Sequence, residues 1–132
     1  MRVKKDVEQT IGIWEKEYKK GFTAYIVMSL LHGKPMYGYE IKQQMEDFTG
    51  GIVTFKESAI YQILKHMKKK GFLEAYWDKS PRGPRRRYYR VTESGQDLLA
   101  AFTQCCLLPL NTMLQASIEQ MKETMQTNEE IE

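Results

Sequence analysis

Apolar side chains recur at helical spacing along most of this chain, and the spacing changes where elements end. Val7, Ile11, Trp14 and Tyr18 stand four, three and four residues apart, a narrow stripe on a helix predicted over residues 3–20. Arg2, Lys4, Lys5, Glu8, Glu15, Lys16, Lys19 and Lys20 keep its other faces in water, and Gly21 is expected to interrupt it. Residues 22–31 are almost wholly apolar and predict the helix most central to the core, stopped by His32-Gly33-Lys34-Pro35. Met36-Tyr37-Gly38-Tyr39-Glu40-Ile41 opens a short helix with Ile41, Met45 and Phe48 on one side, closed by Thr49-Gly50-Gly51. A third helix is predicted from Thr54 to Met67, where Ile60, Ile63, Leu64 and Met67 fall at i, i+3, i+4 and i+7. Thr54 and Glu57 have the spacing of a capping box, and Gly71 after three lysines suits a stop.

The period then shortens. Phe72–Trp77 and Arg87–Val91 read as strands, joined by a nine-residue loop stiffened by Pro81 and Pro84. Three helices followed by a hairpin form a helix-turn-helix core with a wing. From Glu93 a long helix is expected, with Thr92 as N-cap. Leu98, Leu99 and Phe102 form its near stripe. Leu107, Leu110, Leu114, Ile118, Met121 and Met125 continue at spacings of three and four, beyond what one small body can cover. Pro109 predicts a kink or a break near residues 105–109. The fold class is therefore mainly α, an α+β winged helix-turn-helix with a two-stranded wing and a long C-terminal dimerisation helix. The expected segments are 1–20, an amphipathic extension; 21–92, the winged helix; 93–126, the dimerisation helix; and 127–132, a frayed polar tail.

Charge sharpens the picture through its distribution. The net charge of the 132 residues is only +3, yet residues 56–90 hold eleven Lys and Arg against three acids. Residues 93–132 hold seven acids and one lysine. A basic centre beside a polar-faced helix suits phosphate contact, and an acidic end suits protein or water. On the third helix the candidate DNA-contacting residues are Lys56, Ser58, Ala59, Tyr61, Gln62, Lys65 and Lys69, with Tyr37 nearby; on the ribbon they are Arg82, Gly83, Arg85, Arg86 and Arg87. Such a helix enters a major groove while the ribbon reaches phosphates or a minor groove. A solvated charge run on a surface hairpin is the alternative.

Other chemistries lack parts. His32 and His66 have no nucleophile at a useful spacing, no glycine-rich phosphate loop follows a strand, and no catalytic residues are expected. Cys105 and Cys106 are adjacent, too divergent on a helix to bridge readily, with no zinc-spaced partners, so no metal or cofactor is expected. They read as small buried hydrophobes in a helix interface, or else as a thiol sensor beside Pro109. No leader and no continuous apolar run of 18 residues argues for export or membrane insertion, which points to a reducing cytoplasm.

Pro35-Met36-Tyr37-Gly38-Tyr39-Glu40-Ile41, Tyr61 and Leu64, Gly71-Phe72-Leu73, Gly83-Pro84-Arg85, Arg87 to Thr92 and Gly95 together resemble the PadR family of bacterial transcription regulators over about residues 21–100. The short length resembles its compact, LmrR-like subfamily. The third helix departs from the family's usual Ser-Glu-Gly-Thr type of opening, having Lys56-Glu57-Ser58-Ala59 instead. The resemblance implies a homodimeric repressor of transcription that binds double-stranded DNA at a pseudo-palindromic operator, paired mainly through its C-terminal helix and released by a hydrophobic small molecule. The dimerisation residues expected from the stripes are Val7, Ile11 and Trp14 with Leu107, Leu110, Leu114, Ile118, Met121 and Met125. Trp14 and Met113 are the weaker candidates for an effector site. A winged helix that holds a protein partner, or a nonspecific nucleoid-type DNA binder, are the competing readings.

Overall fold

The computed structural model describes residues 2–131. In chain order its elements are α1 (Arg2–Gly33), β1 (Met36–Tyr37), α2 (Gly38–Phe48), α3 (Glu57–Lys69), β2 (Leu73–Lys79), β3 (Arg85–Val91), α4 (Glu93–Phe102), a π-helical turn (Thr103–Leu107) and α5 (Leu108–Ile131). They form two compact units, Met1–Gln96 and Asp97–Glu132. The architecture is a mainly helical winged helix-turn-helix with a small antiparallel sheet and a long C-terminal helix.

The core of the first unit gathers the predicted stripes. Val27, Met28 and Leu31 of α1, Met36 of β1, Ile41 and Met45 of α2, Ile60 and Leu64 of α3, and Leu73 of β2 are all buried. The predicted interruption at Gly21 is absent, and α1 runs unbroken through it. A lone glycine in a helix interior costs roughly 1 kcal/mol, too little to stop a helix whose next turns bury three core side chains. In the single chain the stripe on its N-terminal half stays exposed, with Trp14 at 69%.

Sequence periodicity placed Met36 and Tyr37 in a helix, but they form a strand that pairs with β3, Met36 opposite Tyr89 and Tyr37 opposite Tyr88. The sheet is thus three-stranded, in the order β1-β3-β2, rather than the two-stranded ribbon expected. Two residues are too few to show a period, so the pairing left no trace in the sequence pattern. Tyr37 remains extended, and its backbone N–H donates to the Glu40 carboxylate at 3.3 Å at the start of α2.

The third helix starts at Glu57, three residues later than predicted, because Lys56 is still extended. The expected Thr54–Glu57 capping box does not form; the Thr54 carbonyl instead accepts from Lys19 Nζ at 2.7 Å, tying α1 to the approach of α3. The C-terminal end is as expected. Gly71 takes φ +83°, its N–H donates to the Lys68 carbonyl and that of Phe72 to the Met67 carbonyl, the paired bonds of a Schellman motif.

Pairing between β2 and β3 runs from Leu73 opposite Val91 to Lys79 opposite Arg85, longer than the predicted strands and leaving a turn of residues 80–84. Gly83 supplies φ +113° there, and Ser80 Oγ donates to the Pro84 carbonyl at 2.8 Å.

Thr92 caps α4 as predicted: its Oγ1 accepts from the Gly95 N–H at 3.1 Å and donates to the Gly71 carbonyl at 2.6 Å. Gly95 is a requirement here, although helix propensity alone counts a glycine in a helix as a cost. A Cβ at this position would overlap the Phe72 carbonyl oxygen and come within 2.8 Å of Val91 Cγ1. Gly95→Ala is therefore expected to destabilise the first unit by about 1–3 kcal/mol, the usual cost of overpacking, despite alanine's better helix propensity. Urea denaturation checks this; an unchanged or raised midpoint would mean that the packing is loose.

In the second unit, the predicted break at Pro109 is taken up without ending the helix. Proline has no N–H to offer the carbonyl of Cys105, four residues back. The preceding turn widens to π geometry, and the Leu108 N–H donates to the Thr103 carbonyl five residues before it. The helix then continues to Ile131, past the tail expected to fray from residue 127. Leu107 and Leu110 are half-buried, whereas Leu114, Ile118, Met121 and Met125 are exposed in the single chain. Glu93–Glu129 also contains an 18-residue window of mean hydropathy 1.3, long and apolar enough to cross a membrane by length and composition, although it holds no continuous apolar run of that length. Gln104, Asn111, Thr112, Gln115 and Ser117 interrupt it, and its apolar residues collect in a stripe, the pattern of an amphipathic helix.

Candidate nucleic-acid interface

At 100° per residue, Ser58, Tyr61, Gln62, Lys65 and Lys69 share one face of α3, opposite the buried Ile60 and Leu64, and all five are exposed. Lys56 is exposed just before the helix. Ala59 is half-buried and lies instead, with Gln62 at its edge, along a groove of about 800 Å³ between α1 and α3, floored by Phe55, Ile63 and Met67.

On the other side of that face, the sheet brings the wing to the recognition helix. Tyr37, Gly38, Tyr39, Glu57, Tyr61, Trp77, Arg85, Arg86, Arg87 and Tyr89 line one cleft of about 530 Å³. Arg86 stands 5.6 Å from the Tyr37 ring centroid, and Tyr37 meets Tyr88 edge-on at 5.5 Å. Arg82 and Gly83 sit at the exposed tip. Arg90 is neutralised by an ion pair with Glu74, whereas none of Arg82, Arg85, Arg86 and Arg87 pairs with a carboxylate among the described residues. Four guanidinium groups without counter-ions, beside an exposed polar helix face, make a surface electrostatically suited to phosphates.

Sequence reasoning missed Gly38, Tyr39, Glu57, Trp77 and Tyr89 as cleft residues. Trp77 is 60% exposed and stands opposite Arg87. Each strand carries two adjacent aromatics, Tyr76-Trp77 and Tyr88-Tyr89, but the cleft that Trp77 and Tyr89 line depends on β1, which the periodicity did not show.

Tyr61 is held in place from beneath. A Cβ on Gly38 would lie 2.6 Å from Tyr61 Cε1 and 2.8 Å from its hydroxyl, so the ring rests on the bare backbone that starts α2. Burial first, then the carboxylate of Glu57, pushes the Tyr61 phenol above its ordinary value, so it remains a neutral hydrogen-bond donor near pH 7. Gly38→Ala should drive the ring out of its seat. The expected outcome is a loss of DNA affinity similar to that of Tyr61→Ala, with a melting temperature lowered by only a few degrees. A Gly38→Ala variant that bound DNA like wild type would show that the seat is irrelevant to binding.

A three-helix core, a basic wing and an exposed polar third helix define a winged-helix DNA-binding protein. Residues 27–101 match the model of the PadR-like family of transcriptional regulators, and the chain belongs to that family. An uncharacterised protein of Lysinibacillus sphaericus is 33% identical over 81 residues, 61% of this chain and 74% of that protein. A PadR-like regulator from Bacillus cereus superposes with a TM-score of 0.65 at 26% identity, covering 76% of this chain and 95% of its own. Bacillus subtilis PadR, solved in complex with operator DNA, superposes with a TM-score of 0.54 at 25% identity, covering 61% of this chain and 45% of that longer regulator. The chain is thus a transcriptional regulator of the PadR-like family.

Proposed function

We propose that the protein is a sequence-specific repressor that binds a pseudo-palindromic operator as a two-fold dimer. In this reading α3 enters the major groove, with Ser58, Tyr61, Gln62 and Lys65 toward base edges and Lys56 and Lys69 toward phosphates. Arg82, Arg85, Arg86 and Arg87 hold phosphate or a narrow minor groove. The observation that carries it is the set of wing arginines without counter-ions beside the exposed face of α3. The exposed stripe from Leu114 to Met125 supports pairing of two copies, and the exposed Val7, Ile11 and Trp14 give a second apolar surface to cover in the dimer. Trp14, which shares a shallow apolar depression with Ile11, Tyr18, Ile52 and Val53, and Met113, also 69% exposed, are the points at which an apolar effector would relieve repression. A role in the cytoplasm, where the DNA is, follows from the same reading.

Titration against the DNA upstream of its own gene, with random duplex as competitor, tests it. The regulator requires a preference of about 10³-fold or more for its own site. Equal affinity for both would make it a nonspecific DNA coat, and no DNA affinity would make the wing a protein-binding surface.

A further inference from the structure

Cys105 and Cys106 are the only cysteines in the chain, both are free, and both are exposed within the π-helical turn. We propose that they form a bidentate dithiol site for trivalent arsenicals, specifically neutral ones that carry an organic substituent. This site uses none of the residues assigned to the DNA interface and does not depend on how the operator is read.

Four observations converge on that ligand class. The first is spacing. A disulfide between these neighbours would need their sulfurs about 2.05 Å apart and their Cβ atoms within about 4.5 Å, which a helical backbone does not allow. A larger atom placed between the two sulfurs relaxes that demand. The second is the local backbone: a π turn holds more residues per turn than an α turn, so adjacent side chains diverge less than the 100° of an α-helix.

The third is the donor count. No group of three or more His, Cys, Asp or Glu side chains is placed to hold a metal among the described residues. Structural zinc asks for four protein ligands. A three-coordinate trivalent arsenic centre that already bears an organic group asks for only two, and thiolates are the ligands a soft centre prefers. The fourth is the setting. Residues 98–118 carry no charged side chain, and Leu107, Leu108 and Leu110 flank the thiols. That ground accepts an apolar organic substituent and offers nothing to a hydrated cation.

The site also stays open in the proposed dimer. At the roughly 80° per residue of a π turn Cys105 lies about 160° from Leu107, on the side away from the distal apolar stripe, and Cys106 stands between them. The reaction is a ligand exchange without redox change. Two arsenic–hydroxyl bonds break and two arsenic–sulfur bonds form. Each thiol proton leaves with a hydroxyl as water, and arsenic stays trivalent.

The test uses the full-length reduced protein and phenylarsine oxide, which hydrates to the dihydroxy form in water. Mass spectrometry and thiol titration should show one phenylarsenic per chain and both thiols consumed. The adduct should survive excess mercaptoethanol and be stripped by a small dithiol. Joining two donors typically raises affinity by about 10²–10⁴-fold, so Cys105→Ser and Cys106→Ser should each bind at least about a hundredfold more weakly and lose their arsenic to the monothiol. Two arsenicals per chain, one arsenical bridging two chains, or a wild-type adduct stripped by monothiol as readily as the serine variants would each overturn the proposal. The stoichiometry and monothiol resistance of wild type decide the matter even where a serine variant folds poorly.

Discussion

Replacing Arg82 and Arg85 together with alanine is expected to weaken DNA binding at least about a hundredfold, on operator and random duplex alike. Each is exposed on the wing and lacks a carboxylate partner, so its removal costs the free protein little. In the complex each loses a charge-assisted hydrogen bond of about 1.5 kcal/mol or more, roughly tenfold in affinity. Phosphate contacts also release counter-ions, so the slope of log affinity against log salt should flatten by about one unit per lost contact. A loss confined to one sequence would instead move these arginines from phosphate to base edges. Wild-type affinity with an unchanged slope would remove the wing from the interface altogether.

The second large effect is expected from Leu114→Glu. Leu114 is 49% exposed in the single chain, so the substitution leaves an isolated protomer nearly unaffected. In a dimer paired through this stripe it places an unpaired carboxylate in apolar surroundings twice, at several kcal/mol per ion. Sedimentation should show a particle near half the wild-type mass, with helical content kept and operator binding lost at concentrations that saturate wild type. A variant that stayed dimeric and bound DNA would move the interface elsewhere, and the exposed α1 stripe with Trp14 is the next surface to try. The acidic Glu119 and Glu123 near the stripe disfavour phosphate, so a direct DNA contact there is a poor alternative.

The features that sequence revealed are those with a long enough repeat. Ile60, Leu64 and Met67 span two helical turns, and the Schellman stop at Gly71 rests on one residue type with a stated conformational role, so α3 and its end were legible. The wing was legible because six cations and no acid occupy residues 79–90. Contacts distant in sequence were not. The strand Met36–Tyr37 exists only because Tyr88 and Tyr89 come to meet it, and the seat of Tyr61 on Gly38 joins residues 23 positions apart. Helix propensity alone makes Gly95 a local weakness, while the Phe72 carbonyl that demands a glycine lies 23 residues away, just before β2. Pro109 announced a disturbance, but whether the helix breaks or widens is decided by backbone hydrogen bonds that no side-chain pattern encodes.

A two-fold dimer that reads DNA through α3 and the wing should select a site of matching symmetry. Selection of bound duplexes from a random-sequence pool by the full-length protein tests it most directly. An inverted repeat whose half-sites lie about one helical turn apart should be enriched, since each protomer presents one recognition helix to one half-site. Recovery of an unrepeated site bound by a single protomer, or no enrichment over the starting pool, would contradict it.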